Sequence, residues 1–219
     1  AKTDKKDAIR IATYALEKAY KLVPYNSLEQ KYEDLKFLSR QYNQRISSVS
    51  YTKVQLINLL DQTMPGITHL LPLRSRNPEQ CVLLLFIKRF KSFDEIIKIG
   101  KTRFLSSYAT LVKKTRDRHA PSKGLAIYEL AKNSITTRGE DPYIQLAQSQ
   151  CVDLLASSQN AADEIILQMQ TIAETIPEYK VLRSMAGVGD RLGPVILAEI
   201  GDIRRFHSGK ALNSFAGND

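Results

Sequence analysis

From Ser27 to Met64 the apolar positions fall on a heptad. Leu28, Leu35, Tyr42, Val49 and Leu56 share one position; Tyr32, Ile46 and Leu60 share a second, which Ser39 and Lys53 interrupt. Alternation of three and four residues over several heptads predicts a long helix packed along a seam, as in a coiled coil. Ser27 with Gln30 has the form of a capping box, and Pro65-Gly66 ends the helix. A second long helix starts at Asp141-Pro142. There Cys151, Ser158, Ile165 and Ile172 interleave with Leu155, Ala162, Met169 and Ile176. Ser158 and Ala162 are small enough to let a partner helix approach closely at mid-length. The two long helices share a seam, either within one chain or between protomers; periodicity alone leaves both arrangements open.

The remaining segments are shorter. Asp4 to Lys21 is amphipathic, with Ala8, Ile11, Ala12, Ala15 and Ala19 on one side, and stops near Pro24. Helices are predicted at about Pro78–Phe90, Phe93–Ile99, Lys101–His119 and Ser122–Asn133. Period-two strand patterns are scarce, so the fold class is all-α: long coiled-coil-like helices, a helical insert and a C-terminal helix-hairpin-helix portion. The segments divide as 1–24, 25–178 and 179–219.

Charge changes the picture. The 219 residues hold 32 Lys and Arg against 23 Asp and Glu, a net charge of +9. Such a surplus attracts polyanions at long range, which puts nucleic acid first among partners and an anionic membrane second. A basic but merely solvated surface is the competing reading. No apolar run reaches the ~18 residues of a membrane span, and no signal peptide opens the sequence. Cys81 and Cys151 lack CxxC spacing and read as two reduced core thiols. His69, His119 and His207 form no ligand pattern, and Gly100-Lys101-Thr102 lacks the upstream glycine of a phosphate-binding loop. The basic run between Lys98 and Arg118, with Phe104 and Tyr108 nearby, has the composition of a backbone-binding or base-stacking surface.

The sharpest local chemistry lies at 179–219. Gly187-Val188-Gly189 sits between two apolar helical stretches, and a second glycine turn follows at Gly201. In a helix-hairpin-helix the glycines allow a tight turn and close approach to a phosphate, which the unpaired amides opening the next helix can bind. Pro194 fits the first turn of that helix, and Gly193 permits close helix contact. Asp190 has the chemistry of a helix cap, though its charge opposes phosphate. A plain helical turn is the bland alternative. At the other end, Asp4 and Asp7 lie at i and i+3 on one helical face, where two carboxylates could hold hard divalent ions. By itself that spacing beside lysines describes a solvated helix start.

Residues 181 to 217 resemble the opening of the transposase domain in the RuvC-like DEDD insertion-sequence transposase family. The family pattern is matched by Gly187-Val188-Gly189, Glu199-Ile200-Gly201-Asp202, Arg205-Phe206 and Leu212 to Gly217. Lys2-Thr3-Asp4-Lys5-Lys6-Asp7-Ala8 resembles the stretch ending that family's RuvC-like domain. The resemblance implies that Asp4 and Asp7 are the last two of four catalytic acids and ligate Mg2+. It makes 1–24 the end of the RuvC-like domain, 25–178 a coiled-coil linker and 179–219 the start of the transposase domain.

As partners the resemblance implies DNA, a structured guide RNA and further copies of the chain, as a dimer or tetramer. It places the protein in the bacterial or archaeal cytoplasm, associated with the nucleoid, and off the membrane. Backbone contacts fall to Lys2, Lys5, Lys6, Gly187, Val188, Gly189, Arg191, Arg204, Arg205 and Lys210. The opening residues, helical at once and without an initiator Met, read as the interior of a longer protein. The first Asp and the Glu of the acid set are absent from these residues. So is the family's nucleophilic serine, which Ser214 does not match, so this stretch is expected to be catalytically silent. Two other classes stay open: a non-enzymatic helix-hairpin-helix DNA-binding protein and a dimerising helical scaffold.

Overall fold

The computed structural model describes residues 4–21, 29–73, 77–115 and 120–217, and among them every regular element is helical. Two compact units form: one from residues up to Asp34 together with those from Gly201 on, the other from Leu35 to Ile200.

The larger unit is organised by α2 (Gln30–Thr63) and α8 (Pro142–Glu174). Along α2 the seam buries Leu35, Val49, Leu56 and Leu60 as the heptad predicts. Ser39 does not interrupt it, because the small side chain is itself fully buried. Near Lys53 the buried polar residue is Thr52, whose hydroxyl donates to the Ser48 carbonyl at 2.9 Å and so meets its hydrogen-bonding need within the helix. Ser27, the expected capping residue, lies outside the described residues.

In α8 one row is as predicted: Leu155, Ala162, Met169 and Ile176, which lies just past the helix, are buried. Its companion row is Val152, Gln159, Ile166 and Ala173, while Cys151, Ile165 and Ile172 are only half-buried. Of that second expected row only Ser158 is buried, so one flank of the seam is turned by one residue. Gln159 joins this flank with its stem covered while its amide donates to Asp163 at 3.1 Å, which apolar counting misses. Two bridges tie the long helices in antiparallel sense. The Gln148 side-chain amide donates to the Thr63 hydroxyl at one end, and Arg191 joins Tyr42 to Asp163 at the other. Here the two helices are therefore linked within one chain.

Between them lies the insert: α3 (Ile67–Leu70), α4 (Val82–Arg89), α5 (Phe93–Ile99), α6 (Lys101–Val112) and α7 (Gly124–Asn133). Phe86, Phe90, Phe104 and Tyr108 form an aromatic centre, with Phe86 edge-on to both Phe104 and Tyr108. Around them pack Leu56, Leu60, Met64, Ile96 and Ile127, all without solvent exposure. Each such side chain contributes about 1.5–3 kcal/mol through removal from water. Ser92 caps α5 by accepting from the Glu95 amide, and Glu95 accepts in return from the Lys91 amide. Gly100, at φ 83°, ends α5 in the left-handed region and lets α6 begin at the next residue. Helix α6 stops at Val112, short of the predicted end at His119, which lies outside the described residues. The chain leaves the insert through Thr137 and Arg138, whose amides both donate to the Gln62 carbonyl, at 3.1 and 3.2 Å.

The unit closes with α9 (Glu178–Ser184), a glycine turn and α10 (Leu192–Ile200). The smaller unit contains α1 (Asp4–Glu17), none of whose residues is buried, and α11 (Gly209–Phe215), capped by the Ser208 hydroxyl. Among the described residues no helix is long and apolar enough to cross a membrane.

Candidate nucleic-acid interface

The turn between α9 and α10 depends on Gly187, which sits at φ 86° in solvent. The Val188 amide is used internally, donating to the Met185 carbonyl at 3.1 Å. Arg183 closes the turn: its guanidinium donates to the Val188 carbonyl at 2.9 Å and pairs with Asp190. Asp190 is therefore matched by an arginine, which offsets the repulsion it would exert on a phosphate. Its carbonyl accepts from the Gln170 amide of α8 at 2.9 Å, fixing the turn to the long helix. Gly189 is exposed, and a side chain there would meet nothing within 4 Å. An open groove of about 710 Å³ runs beside the turn, bordered by Gly187, Gly189, Asp190 and Arg191 and by Asp163 and Gln170 of α8. Its two carboxylates are each paired with an arginine, so the groove offers glycine backbone rather than excess positive charge.

The cations expected at this end are differently engaged. Arg191 is half-buried and held by Asp163 and Tyr42, and Asp163 and Tyr42 help keep it charged against the opposing effect of burial. In the smaller unit Arg204 lies between two carboxylates, with Asp202 at 2.8 Å and Glu29 at 2.9 Å, which raises its pKa above the ordinary arginine value. Lys31 and then Arg204 hold the Glu29 carboxyl below its usual value; Arg204 does the same for Asp202. The Arg205 guanidinium lies over the rings of Phe206 and Phe215, at 4.6 and 4.5 Å from their centroids. Lys210 is exposed, as are Lys5 and Lys6 on α1; Lys2 lies outside the described residues.

Asp4 and Asp7 occupy the first turn of α1, Asp4 exposed and Asp7 half-buried, with Arg10 at 3.9 Å from Asp7. Two carboxylates on one open face suit Mg2+, which takes one or two carboxylates and retains several waters. Among the described residues no third acid, His or Cys joins them.

One expected feature is corrected. Phe104 and Tyr108 are 0% and 1% exposed, inside the insert's aromatic centre, so neither can stack on a base. Nearness in sequence to the basic run hid that they occupy the inner face of α6. Arg183 and Asp163, which hold the glycine turn and its arginine, were not singled out from sequence, and Tyr42 was read only as a seam position. No motif marks these contacts, since Arg191 lies 28 residues from Asp163 and far from Tyr42 in sequence.

Comparison with known proteins bears on both ends of the chain. Residues 1–65, which include Asp4 and Asp7, match a DEDD-type IS110 family model described as Transposase. Residues 179–219, which include the glycine turn, match the Transposase IS116/IS110/IS902 family. An insertion element IS110 uncharacterized 43.6 kDa protein of Streptomyces coelicolor is 28% identical over 222 residues, covering 99% of this chain. At both ends, and along its length to this relative, the chain is thus similar to IS110-type sequences. The chain spans about half, 52%, of the length of that relative. No solved structure matches. The first match takes in α2, while the insert and α8 lie between the two matches and are covered by neither family model.

Proposed function

We propose that this chain is part of a DNA transposase that cuts and joins strands during transposition of an insertion sequence, and that its own share is to bind nucleic acid. The observation that carries this is the order of the two matches, with paired aspartates at one end and a glycine turn at the other. Asp4 and Asp7 would hold one side of a Mg2+ site. Such an ion supplies activation of a nucleophile and stabilisation of the leaving oxygen in phosphoryl transfer. Gly187 and Gly189 let a phosphate backbone come close, and Lys5, Lys6 and Lys210 add exposed charge. Arg191, Arg204 and Arg205 serve mainly to fix the elements around them, and the exposed Arg204 and Arg205 keep donors toward a backbone. The reading also includes a structured RNA among the partners and assembly with further copies. These 219 residues offer two of the four acids and no matching serine, so we infer binding without cutting.

The test is binding of the chain to duplex DNA over a salt series, with nicking followed in Mg2+. Binding that weakens steeply with salt, without cleavage, is expected, because phosphate contacts release counterions. Salt-independent or absent binding overturns the reading of this part; robust Mg2+-dependent cleavage overturns the inference of silence.

A further inference from the structure

A second surface rich in cations lies away from the glycine turn. Between α4 and α6 lies a cleft of about 440 Å³, bordered by Lys88, Arg89, Ser106, Ser107, Thr110 and Lys114. Residues 82–91 and 101–115, which build it, contain seven Lys or Arg and no Asp or Glu. Lys88 is shared with Asp153 at 3.1 Å. Arg89 lies over the Phe90 ring at 5.0 Å, and among the described residues neither it nor Lys114 has a carboxylate at ion-pair distance. Arg89 and Lys114 are both exposed, so water screens their mutual repulsion, and an anion seated in the cleft would draw on both charges.

We propose that this cleft is a second binding site, separate from the glycine turn, for the phosphate backbone of duplex DNA. Ser106, Thr110 and Lys114 recur every four residues, so they line one face of α6 and its end, opposite Lys88 and Arg89 of α4. Thr110 spends its proton on the Ser106 carbonyl at 3.0 Å, so the hydroxyl donors left for phosphate oxygens are those of Ser106 and Ser107. Hydroxyls with Lys and Arg are the side chains that position a backbone without reading its sequence. Single strands bind through stacking on aromatic rings as well as through charge. Here the rings of Phe86, Phe90, Phe104 and Tyr108 are all buried beneath the cleft walls. That favours a double helix, whose bases are already stacked. The choice of DNA over duplex RNA rests on the transposase reading; the cleft itself does not.

The experiment measures binding of the 219-residue chain to a short mixed-sequence duplex DNA across a salt series. Two variants probe the cleft, Arg89→Gln with Lys114→Gln, and Thr110→Glu; Gly189→Ala probes the glycine turn. Circular dichroism and Tm report folding, which these exposed positions should leave intact. The double variant is expected to lower the salt slope by about 2 and the affinity by roughly tenfold. Thr110→Glu should weaken binding by repulsion. If both bind like the parent, the cleft site is overturned, whatever Gly189→Ala does. Loss in Gly189→Ala alone keeps the turn and removes the cleft; loss in the cleft variants alone does the reverse. A loss confined to a duplex RNA of the same length overturns the assignment to DNA.

Discussion

The ring of Tyr179 in α9 occupies the space that any side chain at Gly193 of α10 would need. A Cβ at Gly193 would stand 2.9 Å from Tyr179 Cε2 and 3.3 Å from Arg183 Cδ. The two helices are therefore spaced by the absence of one carbon atom, and burial against this packing raises the Tyr179 pKa. Gly193→Ala gains up to about 1 kcal/mol of helix propensity but overpacks at a cost of about 1–3 kcal/mol. A net loss of stability is expected, read as a lower urea midpoint; an unchanged or raised midpoint would show that Tyr179 moves aside freely.

Gly187 and Gly189 separate shape from contact. Gly187, at φ 86°, needs the left-handed region, so Gly187→Ala should cost about 1–2 kcal/mol even though space is open around it. Gly189 has no such backbone and nothing within 4 Å, so Gly189→Ala should leave Tm unchanged. Its DNA affinity should nonetheless fall, because the added methyl stands where the backbone of the nucleic acid approaches. Equal affinity in Gly189→Ala and the parent would remove the turn from the interface.

Removing the arginine that joins the long helices should loosen them. Arg191→Gln leaves Asp163 and Tyr42 without their shared partner. With both charged side chains more than a third exposed, solvent screening limits the loss to about 1 kcal/mol. Faster hydrogen exchange at Tyr42 and Asp163 relative to the insert is the expected local signature. A uniform change along the chain would refute the clamp.

Phe104→Ala addresses whether that ring belongs to the core. Full burial predicts a loss of about 3–5 kcal/mol. Under salt and temperature conditions where the variant remains folded, its nucleic-acid affinity should match the parent. An affinity loss in a folded variant would return Phe104 to the interface.

The smaller unit should weaken in acid. Glu29 and Asp202 have folded-state pKa values lowered by hydrogen bonds and charge, from Lys31 and Arg204 for Glu29 and from Arg204 for Asp202. A lowered carboxyl pKa stabilises the fold above the unfolded pKa, and that contribution disappears as pH falls through the folded one. The window lies below about pH 4, where unfolded Asp and Glu begin to protonate. Titration followed by carboxyl NMR should give both midpoints below the ordinary range. Midpoints at ordinary values would mean that Arg204 makes no lasting contact with either acid.

What was legible in the sequence was whatever a few neighbouring residues decide. Pro65-Gly66 does stop α2, and Asp141 does start α8, its carboxylate accepting from the Tyr143 amide at 2.8 Å. The glycine turn also lies where its doubled glycines indicate. Interactions between distant residues were not legible. One flank of the α8 seam was misplaced by one residue, and the buried Gln159 in it looks polar on paper. The basic residues of 204–205 looked free because Glu29 and Phe215 give no hint of closeness until the chain is folded.

The Gln62 carbonyl, which accepts two amides from Thr137 and Arg138, marks a gate through which the chain leaves and re-enters the long-helix pair. Everything between is a closed excursion whose two ends meet. Because the entropy of closing such an excursion grows only slowly with its length, the insert can change length at its outer surface, but not on the face where Leu56 and Leu60 of α2 and Leu155 of α8 share its core. The architecture thus behaves as a handle carrying a head that is free to vary only away from the face the two share. Divergence among relatives should collect in the head, while the handle and its latch at Gln62 stay constant.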